Sequence, residues 1–97
     1  MAFRVEIAPQ ALKDLDAAYL FIKKENPSHA ATWLLGIIDA ILSLEKLPNR
    51  CPRASESAEV GQDIRILLHG KRHRVYKIFF SIHPLAGFAY STSVMAP

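Results

Sequence analysis

The sequence is short of several things, and each shortage removes a class of explanation. Its 97 residues contain one cysteine, Cys51, so no internal disulfide framework is possible and nothing argues for an oxidising compartment. There is no acidic residue after Asp63: residues 1–63 carry 7 Lys and Arg against 9 Asp and Glu, while residues 64–97 carry 5 against none. The most apolar stretch, residues 33–44, falls short of the roughly 20 residues of a membrane helix and includes Asp39. Residues 1–6 lack the apolar core and cleavage pattern of a signal peptide. Internal repeats and low-complexity runs are absent too. With 51% hydrophobic and 22% charged residues the chain is too apolar to stay disordered. The expectation is one soluble, cytoplasmic domain over residues 1–97, with no membrane contact.

The segment at 64–82 dominates what is present. It reads as two apolar strands around the turn-like His69-Gly70-Lys71, and five of the 12 basic residues (Arg65, Lys71, Arg72, Arg74, Lys77) fall inside it. A one-signed patch attracts nucleic acid or an acidic protein segment, which makes these five the candidate target-binding residues. The same charges at a hairpin tip also serve to keep an edge soluble.

Upstream, Phe3, Val5 and Ile7 alternate with Arg4 and Glu6, the period of a half-buried strand. Pro9 then suits the first turn of a helix, although Ala8 stands where a capping side chain would. Leu12, Leu15, Tyr19 and Ile22 define one face of a helix over residues 10–25, with Asp14 and Asp16 early and Lys23 and Lys24 late. Asn26-Pro27 breaks it, and Asn26 is placed to cap a second helix over 28–46 with a stripe of Leu34, Ile37, Ile38, Ile41 and Leu44 or Leu42. So short a link makes the helices antiparallel. Residues 48–62 read as a long surface connection, and residues 88–94, with Ser91, Thr92 and Ser93, as a weaker last strand. The order β-α-α-β-β-β predicts an α+β domain, a helical hairpin packed on a small antiparallel sheet.

These pieces resemble the RelE/ParE superfamily. The resemblance rests on Ala11-Leu12-x-Asp14-Leu15, on Glu25-Asn26-Pro27 and on Pro48-Asn49-Arg50-Cys51-Pro52 with Glu56. It continues through Ile64-Arg65-x-Leu67-Leu68-x-Gly70-Lys71-Arg72 and Val75-Tyr76-Lys77-Ile78-Phe79-Phe80, covering residues 3 to about 82. It implies a toxin of a type II toxin–antitoxin module of the plasmid-stabilisation type, neutralised by a cognate antitoxin and bound with it to operator DNA. Within that superfamily, ParE-like members poison DNA gyrase and RelE-like members cut messenger RNA on the ribosome.

A RelE-like nuclease would draw on Arg65, Tyr76 and Lys77 as its catalytic set. Lys77 stands where that family pattern has arginine, which keeps charge but loses a bidentate grip on phosphate, and Phe80 replaces a second tyrosine. No His or Arg follows His83, where such nucleases carry both. These departures favour the ParE-like reading, inhibition of gyrase by binding, over the metal-independent endoribonuclease. A third reading, on charge alone, is a non-toxic nucleic-acid-binding module. Tyr19 and Trp33 are the candidate antitoxin-binding residues, though their helical spacing equally suits a core. No cofactor is implied. A metal is not expected, because no compact ligand motif joins His69, His73 and His83 with Cys51. Cys51 has no neighbouring base to make it a nucleophile, and Ser91–Ser93 lack the strand–turn–helix elbow of a serine hydrolase.

Overall fold

The computed structural model describes residues 3–55, 63–72 and 74–97. A short strand β1 (Arg4–Ile7) leads into helices α1 (Pro9–Glu25) and α2 (Pro27–Leu42), followed by single 3-10 turns at Ser43–Glu45 and Pro48–Arg50. Strands β2 (Ile64–His69), β3 (Tyr76–His83) and β4 (Phe88–Met95) complete the sheet, whose spatial order is β1-β4-β3-β2. The α+β class and the element order are those expected from the sequence. The sheet, however, is mixed: β2–β3 and β3–β4 are antiparallel, while β1 runs parallel to β4. Alternating side chains specify which face of a strand is buried, not which strand lies beside it. A parallel neighbour needs a long crossover, and here everything between residues 8 and 87 supplies it.

β4 is also not peripheral. It lies second in the sheet, under α1, and its small residues Ala89 and Ser91 are fully buried. The carboxylate of Asp14 ties the two together by accepting the Val94 N–H at 2.9 Å. Thr92 is the extra residue of a bulge opposite Phe79 and Phe80, and its hydroxyl donates to the Phe79 carbonyl at 3.3 Å.

Both helices begin with proline at the first position and no side-chain cap. The expected Asn26 side-chain cap does not form. The Asn26 backbone bridges instead, its N–H donating to Ile22 O at 2.7 Å and its carbonyl accepting from His29 and Ala30, while its side chain takes a bond from Ser28. On α1 the buried line runs Ala11, Leu15, Ala18, Ile22, so Leu12, expected in the core, is 54% exposed. Ala11 can sit at the sheet where the bulkier Leu12 could not.

On α2, Trp33, Ile37 and Ile41 are buried, and Leu44 of the following turn takes the core place that Leu42 leaves. With that turn the helical stretch Pro27–Glu45 has 19 residues at a mean hydropathy of 1.2, enough by length and composition to cross a membrane. Here one face of it is packed on the sheet instead. Gly36 sits in the middle of α2, where glycine costs about 1 kcal/mol relative to alanine.

Two apolar clusters divide the interior. Leu15, Trp33, Ile37, Ile41, Tyr76, Ile78 and Val94 fill one end, and Leu44, Cys51, Phe80, Ile82 and Ala89 fill the other. The connection at 48–55 is a packed strap rather than a loose loop. Ala54 N–H donates to Ile64 O at 2.7 Å and Ile66 N–H to Pro52 O at 3.0 Å, so the strap covers half of the free edge of β2. Arg50 closes the helical end, donating to Lys46 O at 2.6 Å and Ser43 Oγ at 2.8 Å. Residues 56–62, the remainder of the expected loop, lie outside the described residues, as does Glu56 of the motif.

Candidate functional site

Strand β3 starts at Tyr76, four residues later than the sequence suggested, and residues 70–72 with 74 and 75 form a tight connection in its place. Gly70 makes it possible. Its φ is +124°, and a Cβ there would lie 2.0 Å from the Arg74 carbonyl oxygen, so no other residue fits. Arg72 takes the left-handed region as well, with φ +56°. The turn closes with Arg74 N–H donating to Lys71 O at 3.0 Å.

This connection forms one bank of a groove of about 1320 Å³. On α2 the lining is His29, Thr32, Trp33 and Gly36, the i, i+3, i+4, i+7 stripe of one helix face. On α1 it includes Asp14, Ala17, Phe21 and Glu25. The floor is Trp33 against Tyr76, ring centroids 5.0 Å apart and tilted at 56°, with Val94 beside them. Small-molecule pockets run to roughly 300–1,000 Å³. A helix about 10 Å across would fill a volume of this size over roughly three turns.

The five candidate cations divide. Lys71 and Arg74 line the groove, and Arg72 is exposed on the same connection. Among the described residues none of the three has an ion-pair partner. Lys77 is exposed opposite Met95 on the face of the sheet turned away from the helices. Arg65 is committed to the fold: its guanidinium donates to both oxygens of Asp63 at 3.0 and 3.4 Å, to Cys51 O at 2.8 Å and to Asn49 O at 3.0 Å. Its side chain is only 17% exposed.

The three residues of the nuclease reading do not converge. Tyr76 and Lys77 are neighbours on one strand and so point to opposite faces, and Arg65 pairs with Phe80, about 13 Å along the strand from Tyr76. Of the two candidate antitoxin residues, Trp33 is on the groove floor. Tyr19 is outside the lining, partly buried against the core with Lys23 Nζ 5.9 Å from its ring centre. His73 lies outside the described residues. Among those described, no three of His, Cys, Asp and Glu stand together to hold a metal.

Two titratable groups are displaced. Burial pushes the Cys51 thiol up, against the smaller opposing pull of Arg50 and Arg65. Burial also lowers His69, which leaves it a neutral imidazole at pH 7. His69, which the sequence placed in the turn and weighed only as a metal ligand, ends β2 beside Gly36, which sequence reasoning passed over. The available signal was a glycine amid an otherwise strongly apolar helix, four residues on from Thr32.

The chain is thus a mixed four-stranded sheet with a helical hairpin on one face and a groove at the turn-bearing end. The family model for the ParE toxin of the type II toxin–antitoxin system parDE matches residues 5–84, and the chain belongs to that family. A solved structure described as a chromosomal ParDE TA system from P. aeruginosa superposes with a TM-score of 0.78 at 18% identity, over 98% of this chain and 96% of that one, so the likeness is one of fold. No curated protein matches the sequence.

Proposed function

We propose that this chain is a cytoplasmic toxin that a cognate antitoxin neutralises by occupying the groove, and that it acts by binding DNA gyrase. The observation that carries the first part is the groove itself. It is floored by Trp33 and Tyr76 and edged by Lys71 and Arg74, which have no ion-pair partner among the described residues. An amphipathic acidic helix is the complementary ligand, apolar residues down and carboxylates toward the two cations. Family membership supports the gyrase reading, and so does the scatter of Arg65, Tyr76 and Lys77, since metal-free RNA cleavage needs a base, an acid and cations around one phosphate. Operator DNA would be reached through the antitoxin complex.

The test is induced expression without antitoxin in a growing bacterial host, with transcript ends and gyrase-linked DNA breaks mapped in parallel. Growth arrest with DNA breaks and intact messages is the expected result. Cuts inside translated messages would replace it with the endoribonuclease reading, and absence of arrest would remove toxicity altogether.

A further inference from the structure

Resting on the reading that an antitoxin fills the groove, we propose that Gly36, flanked by Trp33 and His69, decides which antitoxin is accepted. The helix that fits brings a small residue against Gly36 and a side-chain acceptor oxygen to the indole and imidazole beside it.

Three observations meet at this point. Gly36 is not needed by the fold: it is helical, without a positive φ, and a Cβ there would meet only the His69 ring, at 3.4 Å from Cε1 and Nε2. That is a contact an alanine methyl tolerates, yet the helix keeps its least favourable residue short of proline at this site. A mid-helix glycine kept on a groove wall, where an alanine methyl would make only an ordinary contact, suits the close approach of something from outside.

Trp33, three residues earlier on the same face, is 8% exposed, and its indole Nε1 is buried with no hydrogen-bond partner among the described residues. Buried donors are almost always satisfied, and one left orphaned at a groove floor is satisfied by what binds there. The imidazole of His69, which stands against Gly36, likewise has no hydrogen-bond partner among the described residues.

Two departures from the most stable sequence, an unneeded glycine and an unpaired donor, thus fall one helical turn apart on one wall. Both turn favourable only when the groove is filled. A site with an unpaired donor also discriminates, because a ligand lacking the acceptor leaves that donor buried and unmet.

The experiment titrates the full chain with the antitoxin encoded beside its gene, using wild type, G36A, G36L, W33F and, as a control on the distant β3–β4 turn, L85A. Expected are a higher Tm for G36A with affinity about tenfold weaker, a loss of a hundredfold or more for G36L, about tenfold for W33F, and none for L85A. The rise in stability with a fall in affinity is what a purely structural role for Gly36 would not produce. If G36L does not fold, G36A and W33F decide. Folded G36A and W33F that bind within twofold of wild type overturn this inference and leave the antitoxin reading intact. Failure of wild type and L85A alike to bind overturns both.

Discussion

Arg65 and His69 stand four residues apart on β2, both turned toward the helices, in opposite circumstances. Arg65 spends its donors on Asp63, Cys51 and Asn49 and seals the strap over the second cluster. His69 has no hydrogen-bond partner among the described residues and opens onto the groove. One end of the strand is closed by its polar groups and the other is left available. What separates the two residues is therefore not their place on the strand but whether the fold has already satisfied their polar groups.

The sharpest way to break that contrast is R65A. It leaves two carbonyls without their donor and Asp63 with only the longer Arg53 contact at 3.6 Å, and should cost about 3 kcal/mol, a Tm drop of roughly 12–24 °C in thermal melts. Loosening the strap should also expose Cys51, so a thiol reagent should label the native variant at least ~10 times faster than wild type. R65K should recover less than half of the loss, since an ammonium cannot reproduce the forked contacts.

At the open end, K71A/R74A should leave denaturant stability within about 0.5 kcal/mol of wild type while weakening antitoxin binding roughly 10- to 50-fold at low salt. That difference should shrink as salt is raised. Equal losses of stability from R65A and from K71A/R74A would erase the distinction between the two ends.

The smallest effect concerns protons. Burial lowers the folded-state pKa of His69 below its ordinary value of 6.5, so the native state binds fewer protons than the unfolded chain. Its contribution is complete above pH 6.5 and is lost as the pH falls below that value. Between pH 7 and 5 the Tm of wild type should fall more steeply than that of H69Q. Parallel slopes would mean that the imidazole is as well solvated when folded as when unfolded.

The order of elements was legible because helical and strand periods, the two prolines at helix starts and the turn glycine are local signals. Partnership was not. Nothing in residues 3–7 says that their neighbour begins at Phe88, and the small residues that made β4 look weak are what lets α1 lie over it. Leu12 and Leu15 are equally apolar, and only the path of the helix over the sheet puts Ala11 rather than Leu12 inside. For the site, the run from Arg65 to Lys77 pointed by charge to the connection that borders the groove. It could not say that Arg65 would be consumed by a strap 14 residues upstream, or that Lys77 would face away from Lys71 and Arg74. Trp33, which lines the groove, stood out because an aromatic residue on a helix is conspicuous, whereas Gly36 on the same lining did not, because a missing side chain is not.

The parallel pairing of β1 with β4 has a consequence for how the molecule comes into being. Arg4 meets Phe88, and Asp14 waits for Val94, so contacts at the start of the chain span 80 residues or more. During synthesis from the N-terminus β1 has no strand beside it, and α1 no sheet beneath it, until β4 has been translated. Contacts of such long range also slow folding after release. The nascent chain therefore carries the sheet-facing side of its helices exposed until the strands have followed. The groove, which needs both helices and the ends of β2, β3 and β4, is among the last features to exist.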